Sequence, residues 1–292
     1  MNYEHYKIFC TVCRLRNMTK AAEELLSTQP AVSRVIQGME AELGCHLFIR
    51  SKSGVELTRE GQNLYDMLKT PCNLLSRVDD DLHHTAGLNV ETIHIGTTNT
   101  ALQCFLFSFL TEFRRENPHI NLKLYTGSSS RMITRLLNGE IDLVFNTTPF
   151  SGAQSLSVKA ACDFEDVIVA GNAFEKLKDQ EQSLSDLCDY PFILLSKGMQ
   201  YRQFCDDLFM RHDIHISPAI EADSSGLIVP MVEHNWGVAF VPEKMAEEAI
   251  RKGSIVKIRL REAIPTRQVT MVLDPERPMP KAVRAIYSKL MK

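Results

Sequence analysis

Residues 18–40, MTKAAEELLSTQPAVSRVIQGME, constrain this chain more than any other stretch of it. They read as two short helices joined by a tight turn. The first is predicted over residues 20–26 with Thr19 as N-cap, and Ala21, Ala22, Leu25 and Leu26 fall on one face at helical spacing. Thr28 is a candidate N-cap for the second helix, and Pro30 falls in its first turn, where a missing N–H costs nothing. Val32, Val35, Ile36 and Met39 then form an inner stripe, leaving Gln29, Pro30, Ser33, Arg34 and Gln37 on the opposite face. Two alanines in the first helix let the second cross close above it, as a helix-turn-helix requires.

The outward face holds side chains suited to base edges. Gln pairs bidentately with adenine, Arg does so with guanine, and Ser reaches a base or a phosphate. An ordinary helical hairpin with a solvated polar face is the bland alternative. The net charge of −3 over 292 residues excludes a chain that is basic overall, so any nucleic-acid contact must be local. Hydrophobic residues at 44% and charged residues at 24% are ordinary for a globular chain long enough for two domains. No apolar run reaches the ~18–20 residues that span a bilayer. The start, MNYEHYKIF, lacks the basic-then-apolar layout of a signal peptide, so no membrane partner and a cytoplasmic location are expected. Eight scattered cysteines suit a reducing compartment. Cys10 and Cys13 form a C-x-x-C inside an amphipathic helix and read as small buried thiols rather than a metal or redox pair.

Residues 3–15 are predicted to form a helix covering the inner side of the motif, and Gly44 to close the second of the paired helices in the left-handed conformation. Leu47-Phe48-Ile49-Arg50, the turn Ser51-Lys52-Ser53-Gly54 and Val55-Glu56-Leu57-Thr58 read as a β-hairpin. After a helix-turn-helix, a hairpin bearing Arg50 and Lys52 reads as a wing that touches phosphate or the minor groove.

Taken together, AAEELLSTQPAVSRVIQGMEAELGCHLFIR and GVELTREG resemble the DNA-binding domain of LysR-type transcriptional regulators. Matching positions include Ala21-Ala22, Gln29-Pro30, Ser33-Arg34, Glu40, Leu43-Gly44, Leu47-Phe48, Arg50, Leu57-Thr58 and Gly61. So many matches at fixed spacing are far more specific than one short motif. The resemblance implies that Gln29, Pro30, Ser33 and Arg34 face the major groove and that Arg50 makes the wing contact. The candidate DNA-contacting set is Thr28, Gln29, Pro30, Ser33, Arg34, Gln37, Arg50 and Lys52.

Residues 59–88 continue as a long helix, in which Gly61, Leu64, Leu68, Pro71, Leu75, Val78 and Leu82 repeat at steps of three and four. Such a stripe asks for a partner helix, most simply a second copy, and the resemblance implies the same: a linker helix that pairs subunits and spaces two half-sites. Pro71 predicts a kink near Leu68, or a break at Thr70-Pro71. From Thr92 onward strands alternate with helices, which predicts parallel sheets with crossovers. Strands are expected at 93–98, 120–126, 141–146, 166–171, 191–196, 215–223, 237–242, 254–260 and 268–274, with helices at 200–211, at 225–234 and from Pro280. The runs NGEIDLVF and WGVAFVP resemble patterns of the effector-binding domain of the same family, itself similar to type II periplasmic binding proteins. Asn235-Trp236 departs from a second glycine, but Asn tolerates the left-handed conformation.

The expected fold is therefore α/β with an all-α-plus-wing N-terminal domain. It comprises a winged helix-turn-helix (1–58), a linker and dimerisation helix (59–88) and a two-lobed domain (89–292). The resemblance implies that the chain passes from lobe I (89–162) to lobe II (163–266) and returns to lobe I (267–292). Ligands of open parallel sheets bind beyond the carboxyl ends of the strands. Two such ends, Thr97-Thr98-Asn99-Thr100 and Ser128-Ser129-Ser130, carry hydroxyls just before helices, where free N–H groups and the dipole favour a small carboxylate or oxyanion. The resemblance implies effector contacts at Thr100 and Ser129. Gln200, Tyr201 and Arg202 are placed to close from lobe II, Arg202 as a bidentate carboxylate partner, with Asn146 a lesser candidate. The candidate set is Thr98, Asn99, Thr100, Ser128, Ser129, Asn146, Gln200, Tyr201 and Arg202.

His212 and His215 straddle a helix end and a strand start, which does not suit a metal pair, and His83-His84 after Asp79-Asp80-Asp81 reads as a solvated helix face. No nucleophile–base pair, phosphate-binding glycine loop or metal cluster is legible, so neither an enzyme nor a cofactor is expected. The sequence points to a DNA-binding transcriptional regulator controlled by a small, anionic effector, acting as a dimer or tetramer on an operator, with RNA polymerase a further partner. The alternatives are a thiol-based redox regulator of the same fold, using Cys188 and Cys205, and a solute-binding protein without DNA function.

Overall fold

The computed structural model describes residues 1–51, 54–84 and 91–291. Lys52 and the expected linker end, 85–88, lie outside the described residues, as do the side chains of Arg50, Val78, Leu82, His83 and His84. The chain divides into two units, taken separately below.

In the N-terminal unit, α1 (Tyr3–Leu15), α2 (Met18–Glu24) and α3 (Gln29–Leu43) surround Phe9, Val12, Ala21, Ala22, Val32, Ile36 and Met39, all buried. Each large apolar side chain removed from water here contributes roughly 1.5–3 kcal/mol. Asn17 rather than Thr19 caps α2. Its carboxamide oxygen accepts from the Thr19 and Lys20 N–H groups at 2.9 and 3.0 Å, so the helix starts two residues early. Leu26 does not join the inner face: the helix ends at Glu24, Leu26 turns left-handed (φ 51°) to redirect the chain, and its side chain is 97% exposed. Thr28 occupies the N-cap position of α3, but its hydroxyl makes no capping bond. Gly44 (φ 68°) closes α3 as expected.

The strands β1 (Phe48–Ser51) and β2 (Gly54–Leu57) pair antiparallel, Phe48 opposite Leu57 and Arg50 opposite Val55. Glu40 ties this hairpin to α3, its carboxylate accepting from the Leu47 and Phe48 N–H groups at 2.7 and 3.2 Å. Next, α4 (Arg59–His84) runs unbroken through Pro71, so the expected break is absent. The carbonyl robbed of its donor belongs to Met67, itself 75% exposed, on the solvent side of the helix. The expected stripe divides in function: Leu64 and Leu68 pack on the N-terminal core, while Leu75 is exposed. A methyl group on Gly61 would lie 2.1 Å from the Leu47 carbonyl oxygen, so only glycine lets α4 pass beneath the hairpin.

The second unit opens with β3 (Glu91–Thr97), followed by a continuous helical run of α5 (Asn99–Ala101), a π turn (Leu102–Leu106) and α6 (Phe107–Glu116). Then come β4 (Ile120–Thr126), α7 (Ser129–Leu137), β5 (Leu143–Thr147) and β6 (Ser157–Phe164). The chain continues through β7 (Asp166–Gly171), α8 (Leu184–Leu187), β8 (Ile193–Leu195), α9 (Gln200–Met210), β9 (Ile220–Ala222) and α10 (Ile228–Glu233). It ends with β10 (Val238–Pro242), α11 (Glu243–Lys252), β11 (Ile255–Ile258), β12 (Arg267–Leu273) and α12 (Lys281–Leu290).

One sheet has the order β4-β3-β5-β12-β6, a second β10-β7-β11, and β8 pairs with β9. The expectation of wholly parallel sheets needs correction. β3, β4 and β5 are parallel, but β12 runs antiparallel to both β5 and β6, and β7 runs antiparallel to β10 and β11. The chain leaves the first sheet after β6 and re-enters it at β12. A strand that begins at the crossing must oppose strands that end there. β6, absent from the sequence reading, is half-exposed at the sheet's edge, and its SVKAACDF has no strong apolar alternation. The expected 215–223 strand shrinks to β9, and the 225–234 helix is a 3-10 turn (Ser225–Leu227) followed by α10. Asn235 adopts φ 62° and accepts from the Ala173 N–H at 2.7 Å, doing the work of the absent glycine. Among the described residues no helix is long and apolar enough to cross a membrane, and no group of three or more His, Cys, Asp or Glu is placed to hold a metal.

Candidate nucleic-acid interface and ligand cleft

The start of α3 presents Thr28, Gln29, Pro30, Arg34 and Gln37 to solvent, with Ser33 half-buried among them. They share a face because Val32, Ile36 and Met39, at steps of four and three, turn the opposite face onto the core. The outward set is thus a consequence of the inner one. Of the wing candidates, Arg50 has its backbone in β1.

In the second unit a cavity of about 230 Å³ opens between the two sheet systems. It is lined by Thr98, Asn99, Thr100, Ser128, Ser129, Gln200 and Tyr201 from the sequence-derived set. Helix starts supply most of them: Thr98 caps the α5 run by accepting from the Ala101 N–H at 3.2 Å, and Ser128 and Ser129 open α7. At such starts the first N–H groups have no partner within the helix. Two polar bonds join lining residues across the cavity, and a third runs from Gln200 to Ser151 outside its lining. Asn99 Nδ2 donates to Ser224 Oγ at 3.1 Å, Thr100 Oγ1 to Ser225 Oγ at 3.2 Å, and Gln200 Nε2 to Ser151 Oγ at 3.2 Å.

Two expectations change. Asn146 does not line the cavity; it is fully buried behind Ser129, whose hydroxyl donates to Asn146 Oδ1 at 2.7 Å. Arg202 faces away from the cavity. Its guanidinium, 4% exposed, is held by Asp206 at 2.9 Å, Glu221 at 2.6 Å and the Leu195 carbonyl at 3.0 Å. Helical periodicity decides this: Tyr201 takes the cavity side of α9 and its successor is rotated inward. The sequence reading missed Asp223, Ser224 and Ser225, which line the cavity from the opposite side. A strand end followed by hydroxyls and a helical turn is the signal that marked 97–100, and it was present there too.

Where the chain crosses between sheets, Arg267 at the start of β12 grips Asp166 at the start of β7 with N–O distances of 2.9 and 3.3 Å. It also donates to the Thr148 carbonyl at 2.7 Å and lies 4.3, 4.9 and 5.3 Å from the ring centres of Tyr201, Phe164 and Phe204. Burial pushes the Asp166 carboxyl up, and the Arg267 charge pulls it part of the way back. Tyr201 thus touches both cavity and crossing. The π turn that follows α5 is a second feature of the cavity's surroundings, as such turns are often found at functional sites.

The thiols are poorly set for redox chemistry. Burial pushes the Cys205 thiol up within its core, and partial burial with Asp189 nearby does the same to Cys188. Cys10 and Cys13 are raised by burial as well.

A helix-turn-helix with a strand wing, followed by a two-sheet unit around a polar cavity, defines a ligand-responsive DNA-binding regulator. The chain belongs to the LysR family of bacterial transcriptional regulators. The profile for the bacterial regulatory helix-turn-helix protein of the lysR family matches residues 3–62, and that for the LysR substrate binding domain matches residues 86–291. It is 25% identical to the HTH-type transcriptional activator CmpR of Synechocystis sp. over 81% of this chain and 77% of that one. It is 27% identical to the HTH-type transcriptional regulator BudR of Raoultella terrigena over 84% of this chain and 86% of that one. Among solved structures, full-length CbnR complexed with its target DNA superposes with a TM-score of 0.72 at 20% identity, covering 100% of this chain and 99% of that chain. The protein is therefore a transcriptional regulator with a DNA-binding helix-turn-helix and an effector-binding domain, in a family of regulators rather than enzymes.

Proposed function

We propose that Thr28, Gln29, Pro30, Ser33, Arg34 and Gln37 read operator bases and phosphates, with Arg50 and Lys52 of the wing touching phosphate or the minor groove. In this reading residues 1–58 form the reader, 59–88 the pairing helix and 89–292 the sensor, whose lobes part at 163 and 267. Two copies pair through α4, supported by Met67, Leu74 and Leu75, which are 75%, 39% and 47% exposed along that helix. Dimers, or pairs of dimers, then span a two-fold site in cytoplasmic DNA and act on RNA polymerase there.

A small anionic effector occupies the cavity between the helix starts at 99 and 129 and the turn at 224. The observation that carries this reading is the set of bonds across the cavity mouth from Asn99 and Thr100 to Ser224 and Ser225. They join the two lobes at the point where a guest would be enclosed, so an effector that binds the closed arrangement better shifts the population toward it. The test is operator binding by full-length protein, measured by fluorescence anisotropy on DNA from the promoter it controls. Retention must weaken with salt and fall with Arg34→Ala, and the effector's influence must vanish in Thr100→Ala/Ser129→Ala. Salt-independent binding indifferent to Arg34 defeats the reader assignment, and an effector response that survives the double substitution defeats the cavity assignment.

A further inference from the structure

We infer that the effector is a small ammonium carboxylate, of the α-amino-acid class, rather than a simple acid or an inorganic oxyanion. This rests on the cavity reading above and adds the chemistry of its guest. The wall from β3 and β4 is made for negative charge. The starts of the 99–116 helical run and of α7 lie above adjacent parallel strands, so their free N–H groups and positive dipole ends face one cavity. Asn146, behind Ser129, is fully buried and outside the cavity lining, and it serves to orient the Ser129 hydroxyl, which donates to its Oδ1 at 2.7 Å.

The opposite wall has the contrary character. Asp223 lines the cavity, its Oδ1 accepting from Ser196 Oγ at 2.5 Å, and no Lys, Arg or His is among the cavity's lining residues. Arg202 is committed to Glu221, Asp206 and the Leu195 carbonyl, and Arg267, 4.3 Å from the Tyr201 ring, to Asp166. A plain carboxylate or oxyanion entering this cavity comes close to the Asp223 carboxylate, which is solvent-exposed, so water weakens the repulsion without removing it. A guest carrying an ammonium group turns that repulsion into attraction. Its carboxylate sits at the helix starts of 99 and 129, and its ammonium donates to Asp223, with the Ser224 oxygen as a further acceptor. A hydroxyl in place of the ammonium satisfies the hydrogen bonds but leaves the charge unbalanced.

The experiment compares matched pairs on the full-length wild-type chain by thermal shift and titration calorimetry. Each proteinogenic L-amino acid is set against the acid lacking its amino group, for example aspartate against succinate and phenylalanine against 3-phenylpropanoate, with sulfate and phosphate alongside. At least one amino acid is expected to bind, its des-amino partner about ten- to hundredfold more weakly, as for loss of one hydrogen bond between charged groups. In Asp223→Asn the amino acid falls to the level of its partner while the partner is unchanged or tighter. In Ser129→Ala both members weaken together. Equal binding of the two members in wild type, a preference that survives Asp223→Asn, or the absence of any amino-acid binder overturns the inference. The wild-type comparison decides even if Asp223→Asn fails to fold. Failure of the cavity reading itself looks different: a bound amino acid whose affinity ignores both Asp223→Asn and Ser129→Ala.

Discussion

The outward face of α3 and the cavity of the second unit solve the same task, offering polar groups to a partner, in opposite ways. On α3 every candidate lies within ten residues, and one buried stripe of Val32, Ile36 and Met39 orients them all. The cavity takes its lining from four places far apart in the chain, near 98–100, 126–130, 198–201 and 223–225. A surface built by one helix is local, and damage to it is local. A cavity built by four segments depends on the crossing that relates them, which Arg267 and Asp166 hold.

The largest expected effect tests that dependence. Arg267→Ala leaves Asp166 buried without its partner, which costs about 3–5 kcal/mol, read as a fall in the denaturation midpoint of the second unit. Effector binding should fall with it while operator contacts of the reader persist. A loss below about 1 kcal/mol would show that the crossing is held by its aromatic neighbours instead. In the reader, Gly61→Ala forces a methyl against the Leu47 carbonyl and is expected to lower stability by about 1–3 kcal/mol, the usual range for overpacking, measured by urea unfolding.

Arg34→Ala, on the exposed face, should instead weaken operator binding by about 1–3 kcal/mol and leave the melting temperature unchanged. A large stability loss would mean that the face is structural. Finer still is a contrast between two helix starts. Asn17→Ala should destabilise by about 1 kcal/mol because two N–H groups lose their acceptor, whereas Thr28→Ala, whose hydroxyl caps nothing, should change stability by less than about 0.5 kcal/mol. If Thr28→Ala nonetheless weakens operator binding, that hydroxyl faces the DNA. Last, Leu26→Gly removes the cost of a left-handed non-glycine residue and should stabilise the reader slightly, by about 0.5–1 kcal/mol in thermal unfolding.

Legibility in the sequence followed the same division. The reader's helices could be read within a few residues because each apolar stripe lies within one helix and its period is visible. The exceptions were ends: Asn17 against Thr19 as cap, and Leu26, apolar yet exposed, because a turn residue is chosen by backbone direction. In the second unit most strands were visible as apolar runs, but β6 was not, since an edge strand need bury only part of one face. Thr98–Thr100 and Ser128–Ser129 were recognisable from their place between a strand and a helix. Asp223 was passed over because the strand before it was expected to be longer than β9 is.

The amino-acid sequence by itself determined the periodicities, the caps and the order of strands and helices, since these depend on neighbours within a few residues. From them came the helix-turn-helix, its outward face and the alternation of strands and helices, while the two lobes were implied by the family resemblance. Only the tertiary structure decided that β12 runs against β5 and that Arg202 is spent on Glu221 while Asp223 meets the cavity. Those outcomes depend on which segment a side chain meets after the chain has crossed twice between sheets. Distance along the chain carries no record of that meeting.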